Sequence, residues 1–288
     1  MTGTKVVKLK LEDGGAERLP HLKESAVSKS LEVYKKTENM SLSDHMLMLD
    51  YHETVSKESK GLDLTSAEIQ ELSDLLEDSA SVGLSHPFRR GIFLSALIQS
   101  SSQKKFRLKT KTLLHCIGYM LNDKEKKITV EGDAGDYTGQ HMNAGQVSIT
   151  GNAGDFTGWS MSGGSIKIEK DARNNLAAFM SNGIILVKGN ARDYAGQEMV
   201  GGRLHIGGTA RNYLGNSVKS NATIRVEKDI GDHAALMMSG GTIEVKGKAG
   251  KYLGSHMVGG TVKVAKGIEE ISKDFQDGSI QEKGEWVR

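Results

Sequence analysis

The sequence predicts a mainly β fold: a right-handed parallel β-helix of seven rungs of about 19 residues, preceded by a small α-helical N-terminal region. Three observations carry this expectation. Units begin at Gly132, Gly151, Lys170, Gly189, Gly208, Lys228 and Gly247, in steps of 19 residues with one step of 20. Within each unit the same columns return. A small residue stands at Ala134, Ala153, Ala172, Ala191, Ala210 and Ala249, with Ile230 the exception, and a methionine at Met142, Met161, Met180, Met199, Met238 and Met257, with Val218 the exception. Each unit closes on an alternating apolar pair, from Val147/Ile149 to Val262/Val264. Period 2 places both members on one face of a strand, so the rungs are β and not α.

A unit of this length cannot bury its apolar face alone, and stacking on its neighbours makes the core continuous. Rungs about 4.8 Å apart give seven of them a length of roughly 30 Å. Left-handed hexapeptide helices repeat in multiples of six, which this period does not fit. Calcium-binding nonapeptide repeats need a G-G-x-G-x-D pattern that the units lack.

The segments outside the repeat divide the chain into residues 1–112, 113–131, 132–265 and 266–288. The first is expected to be mostly helical, serving as a cap or a partner-docking region. Its start, with Lys5, Lys8 and Lys10 among Val7, Leu9 and Leu11, alternates like a strand and lacks the apolar block of a signal peptide. A helix is expected from Ser25 to Lys36. Residues 37–64 are polar, with Met46, Met48 and Leu49 the main apolar cluster, and suit a partial linker. Thr65-Ser66-Ala67-Glu68 is a capping box, followed on one face by Ile69, Leu72, Leu75 and Leu76, which predicts a helix of about 15 residues. Pro87 suits the start of another, with Phe88, Ile92, Phe93, Ala96 and Leu97 as its apolar side.

Residues 113–131 are expected to connect the cap to the rod, with Ile128-Thr129-Val130 a partial rung. The first rung of a β-helix leaves strand edges and an apolar cross-section open, so a cover is needed at each end. At the far end Ile268, Ile271, Phe275, Ile280 and Trp286 are expected to fold over the last rung.

The glycines carry a resemblance. Gly132, Gly135 and Gly139 recur as Gly151, Gly154 and Gly158, and again as Gly247, Gly250 and Gly254. Together with Met-x-Gly-Gly at Met161–Gly164, Met199–Gly202, Met238–Gly241 and Met257–Gly260, the pattern resembles the GXGXG-motif β-helix family from about Lys127 to Val264. That family includes the C-terminal domain of the glutamate synthase large subunit and a structural subunit of formylmethanofuran dehydrogenase. The resemblance implies a non-catalytic scaffold. Residues 1–112 resemble neither a glutaminase nor a flavin-binding segment.

Composition narrows the classes further. A net charge of +2 favours neither a nucleic-acid nor a membrane partner, and no apolar run reaches the roughly 20 residues of a membrane span. The single Cys116 excludes an intrachain disulfide and suits a reducing cytoplasm.

Chemistry is sparse. His141, His205, His233 and His256 lie in the repeat, but only His141 and His256 share a column, six rungs apart, so no metal site is expected. His115 and Cys116 sit in the apolar run Leu113–Ile117 and suit a packed connector better than a dyad. The glycine spacing opens no helix and is not a dinucleotide fingerprint. The methionines suit core filling better than soft-metal binding. The Asx column at Asp136, Asp155, Asn174, Asp193, Asn212 and Asp232, followed by Tyr137, Phe156, Tyr194 and Tyr213 in four rungs, suits a structural ladder. No catalytic, cofactor or metal residue is assigned.

One column does not fit a structural role so simply. Outer rungs carry Gly135, Gly154, Gly231 and Gly250 where the three central rungs carry Arg173, Arg192 and Arg211. At about 4.8 Å apart, neighbouring guanidinium groups repel by roughly 0.9 kcal/mol even at the dielectric of water. Either Asp171, Asp193 or Glu198 offsets the charge, or the three arginines bind an anionic partner surface. The expected function is a scaffold subunit or domain of a larger oxidoreductase, with protein subunits or a second copy of itself as partners. The alternatives are a self-assembling rod and a groove-active β-helix enzyme.

Overall fold

A computed structural model describes residues 26–37, 40, 42, 45–80 and 88–288. Four helices come first: α1 (Ala26–Thr37), α2 (His45–Glu58), α3 (Ser66–Ala80) and α4 (Arg89–Ser100). Strands follow as β1 (Lys105–Lys109), β2 (Lys127–Glu131), β3 (Gln146–Ile149), β4 (Ser162–Ile168), β5 (Asn182–Val187), β6 (Arg203–Ile206), β7 (Thr223–Val226), β8 (Ser239–Val245), β9 (Lys248–Ala249), β10 (Val258–Val264), β11 (Gly267–Ile268), β12 (Asp277–Glu282) and β13 (Glu285–Trp286).

The fold is a mainly β solenoid with an α-helical N-terminal region. One sheet runs β1-β2-β3-β4-β5-β6-β7-β8-β10-β12-β13, every neighbouring pair parallel except β12 with β13. Register keeps each column on itself: Val147 pairs with Ile166, Ile185 with Leu204, and Ile243 with Val262. Both apolar columns are buried throughout, as the period predicts.

The rod is longer than its seven repeats. Phe106 and Leu108 of β1 continue the two apolar columns through Ile128 and Val130 of β2, and Ile280 of β12 continues one of them at the other end. Residues 113–131 therefore form a whole turn rather than a connector with a partial rung. Leu114 bridges to Ala134, and the Cys116 amide donates to the Asp136 carbonyl at 2.8 Å. A second difference is α2, which occupies residues expected to be partly linker and buries Tyr51 and Val55. The helix expected at Ser25–Lys36 is α1, and Thr65 caps α3 as predicted, its amide donating to Glu68 Oε2 at 2.8 Å. Pro87 and the strand-like start around Val7 lie outside the described residues.

Packing explains the repeat's punctuation. All six methionines of the column are 0% exposed. Five of the six methyls lie against a glycine one turn on, so that a Cβ at Gly164 would come 2.7 Å from Met142 Cε and one at Gly202 the same distance from Met180 Cε. The turn glycines Gly139, Gly158, Gly196 and Gly215 sit at positive φ, where an added Cβ would collide with the Cδ1 of Ile166, Ile185, Ile224 and Ile243. Alanine replaces glycine in this column at Ala177 and Ala235, 27 residues before Leu204 and Val262, where no isoleucine stands. At Ala235 the turn gains the methyl that Val262 lacks, which keeps the core volume, whereas opposite Ala177 the isomeric Leu204 carries the same carbons branched at Cγ instead of Cβ.

The helices complete the first turn. Among the described residues the outer edge of β1 has no strand beside it. Instead the Arg107 amide donates to Ser66 Oγ at 3.0 Å, and Gln70 both accepts from the Lys109 amide at 2.7 Å and donates to its carbonyl at 2.8 Å. In later turns the Gly139 and Gly158 amides donate to the carbonyls of Ile117 and Thr138 at 2.8 Å. Gly118 lies in the first turn, and its amide donates to Ser95 Oγ of α4 at 2.9 Å. Lys126, fully buried, donates to the carbonyls of Ser101 and Gln103. These contacts satisfy the edge that would otherwise template further pairing.

Candidate functional site

Two ladders of polar side chains run along the rod on either side of the buried alanine column. In the first, Asp133 Oδ1 accepts the Asn152 amide at 2.7 Å, Asp171 Oδ1 the Asn190 amide at 2.7 Å, and Asn190 Oδ1 the Thr209 amide at 2.9 Å. In the second, Asp136 Oδ1 accepts the Asp155 amide at 2.8 Å, and the pattern continues through Asp193 to Asn212 at 3.0 Å. Short Asx side chains suit this task, because their oxygens reach a backbone amide one rung away while tolerating the turn geometry. The second ladder was legible in the sequence. The first was not singled out, although Asp133, Asn152, Asp171 and Asn190 recur with the same period.

Between the ladders stand Arg173, Arg192 and Arg211, all exposed. With the first ladder as the facing wall and the alanines as the floor, they line a groove of about 460 Å³. Of the acids expected to offset their charge, Asp171 and Asp193 accept backbone amides in the ladders and Glu198 meets Lys219 at 3.8 Å. Among the described residues no carboxylate lies within 4.0 Å of the three guanidinium groups. The Asn152 amide and side chain hold Asp133 below the usual carboxylate range, with smaller help from the charges of Lys170 and Arg173. The groove is thus a one-sided electrostatic surface, cationic on one wall and mixed on the other.

The remaining candidates are structural. His115 Nδ1 accepts the Asp136 amide at 3.0 Å, so His115 starts the second ladder in place of an Asx residue. Accepting there requires an unprotonated Nδ1. Burial pushes the imidazole below its ordinary value, with Asp136 opposing and Arg90 adding to the shift. Cys116 is fully buried, and burial pushes its thiol well up, so the pair has no reactive thiolate. His205 meets Glu227 at 3.1 Å, His141 packs against Trp159 with centroids 5.3 Å apart, and His256 is exposed on its own turn. His233 belongs to a stack of Tyr194, Tyr213, His233 and Tyr252 with ring centroids 4.6 to 5.0 Å apart. Among the described residues no group of three or more His, Cys, Asp or Glu is placed to hold a metal, and no helix is long and apolar enough to cross a membrane. Sequence reasoning missed His52, a buried imidazole of α2 beside Tyr119.

No curated protein and no solved structure matches the chain. The glycine turns, methionine column and stacked rungs on which the Arg groove is built are those of a known repeat, whose sequence model matches residues 109–283, more than half the chain: the protein belongs to the GXGXG motif family.

Proposed function

We propose that the chain is a non-catalytic scaffold module of a larger oxidoreductase assembly, like the β-helical domain of glutamate synthase or the structural subunit of formylmethanofuran dehydrogenase, working in the cytoplasm. The observation that carries this reading is how the repeat uses its polar residues. The Asx side chains that an enzyme would aim at a substrate instead accept backbone amides of the next rung. The rod's ends are also closed, by α3 and α4 at one and by β13 at the other, which disfavours indefinite end-to-end growth.

Affinity purification of the tagged chain from its own cells, with mass spectrometry of what co-elutes, tests the proposal. A stoichiometric flavin-, iron–sulfur- or molybdopterin-containing protein is the expected companion. Recovery of the chain alone, with turnover that one substitution in the solenoid abolishes, would establish an independent enzyme and overturn the reading.

A further inference from the structure

Among the described residues no carboxylate stands within 4.0 Å of the three arginines, so their guanidinium groups are open to a partner. Their backbones repeat at about 4.8 Å along the rod, so the charges are set out at roughly 0, 4.8 and 9.6 Å. An extended strand along the rod would offer same-face side chains every 6.6 to 6.8 Å, roughly, and fall out of step by the third position. A helix laid along the groove offers residues i, i+3 and i+7 at rises of about 0, 4.5 and 10.5 Å, or i+4 at about 6 Å, on one face. That spacing follows the arginines within the reach of a guanidinium group.

The opposite wall selects further. Asp133 and Asp171 are exposed there, with Asn152, Asn190 and Thr209 between and beyond them. A uniformly anionic polymer would press charge against those carboxylates. A helix with acids on one face only would not. The guanidinium groups are themselves exposed, which fits contact with a macromolecular surface better than capture of a small anion.

We infer that the groove formed by Arg173, Arg192 and Arg211 with the Asp133–Thr209 ladder docks a helix of a partner chain whose acidic side chains stand at i, i+3 or i+4, and i+7. The inference rests on the scaffold reading and names the chemistry by which the scaffold holds a companion. Bidentate guanidinium–carboxylate pairs fix the register, and the aspartates of the facing wall reject a partner that is acidic all round.

The test uses the full chain and two alanine-based helical peptides of identical composition, one with glutamates at i, i+3 and i+7, the other with the same glutamates spread around the helix. Titration followed by fluorescence anisotropy should show the aligned peptide binding roughly ten-fold tighter, with affinity falling as salt rises. The triple variant R173E/R192E/R211E should lose that preference with its thermal transition unchanged. R173Q/R192Q/R211Q, which removes charge without reversing it, guards against a misfolded triple glutamate and should also lose the preference. Equal binding of both peptides, or an undiminished preference in the glutamine variant, overturns the inference, as does heparin binding with equal affinity at the same site. Failure here with a stoichiometric companion still recovered from cells would sink the groove alone. Peptide binding with no companion would sink the scaffold reading and leave the groove.

Discussion

The two ends of the rod are closed by different chemistry. At the N-terminal end, side chains of a helical layer meet the backbone groups of the first turn one by one: Ser66 and Gln70 along β1, Ser95 at Gly118, and Gln99 at the Asn122 amide at 3.1 Å. At the C-terminal end the chain turns back on itself, and β13 pairs with β12 at two positions. Trp286 and Val287 remain 60% and 38% exposed, so Trp286 does not fold over the last rung as expected, whereas Ile280 is buried and Ile271 and Phe275 pack against the core. A side-chain cap is specific at each contact and sensitive at each. A backbone hairpin closes the edge with main-chain bonds in antiparallel order and asks little of its side chains.

The sharpest way to break the comparison is Gly91→Ala. A Cβ there would collide with the His115 carbonyl, which is backbone and cannot swing aside. Helix propensity alone would favour alanine by about 1 kcal/mol. We expect the reverse, a loss of roughly 4 kcal/mol in chemical denaturation, because α4 must lift from the first turn. Hydrogen exchange should rise first in residues 105–131. A variant as stable as the parent would show that the cap is not seated on its contacts.

Acid should weaken the same end next. Burial lowers His52 from its ordinary 6.5 to about 4, so the folded cap holds it neutral. Below pH 6.5 the unfolded chain takes up a proton that the folded one refuses, and stability falls as pH drops toward 4. The linkage is worth about 3 kcal/mol across that window, and His115, also shifted down, acts in the same direction. Denaturation of the parent and His52→Leu between pH 7 and pH 4 should give a difference that changes with pH, the parent losing more stability than the variant as acid is added. A constant difference would mean that His52 is solvated.

Ser95→Ala is expected to cost about 2 kcal/mol, since it strands the buried Gly118 amide that later turns satisfy from a carbonyl. Exchange at Gly118 should accelerate, while exchange at Gly139 and Gly158 should not.

How much of this was legible follows from where each partner lies in sequence. The apolar pairs meet their own kind one period away and the methionines recur in the same step, so period 2 and the step of 19 residues find them without a structure. The Arg column showed as a break in a glycine column. The turn at residues 113–131 hid because its signature residues are replaced by others that do the same work, with His115 Nδ1 serving as the ladder acceptor. Strand β1 hid because its edge partners, Ser66 and Gln70, sit about 40 positions upstream in a helix, at separations of 41 and 39. Helix α2 hid because His52 beside Tyr51 makes its buried face read as polar. Periodicity finds like stacked on like, and it is blind to a helix closing a sheet.

The smallest effect belongs to the C-terminal end. Trp286 has the largest side chain of the return strand, yet its ring is mostly in solvent and the strand is held by backbone bonds, the Val287 amide donating to the Ile280 carbonyl at 2.9 Å and the Ile280 amide to the Arg288 carbonyl at 3.0 Å. Trp286→Ala should therefore stay within about 0.5 kcal/mol of the parent, an ordinary value for a surface position. Removing one of those backbone bonds is a different matter. Val287→Pro deletes the amide that donates to Ile280, and should release the strand and raise exchange in residues 277–282 by more than Trp286→Ala does. If the tryptophan variant instead destabilises the rod by as much as Ser95→Ala, the ring is packing on something at this end, and the two caps differ in degree rather than in kind.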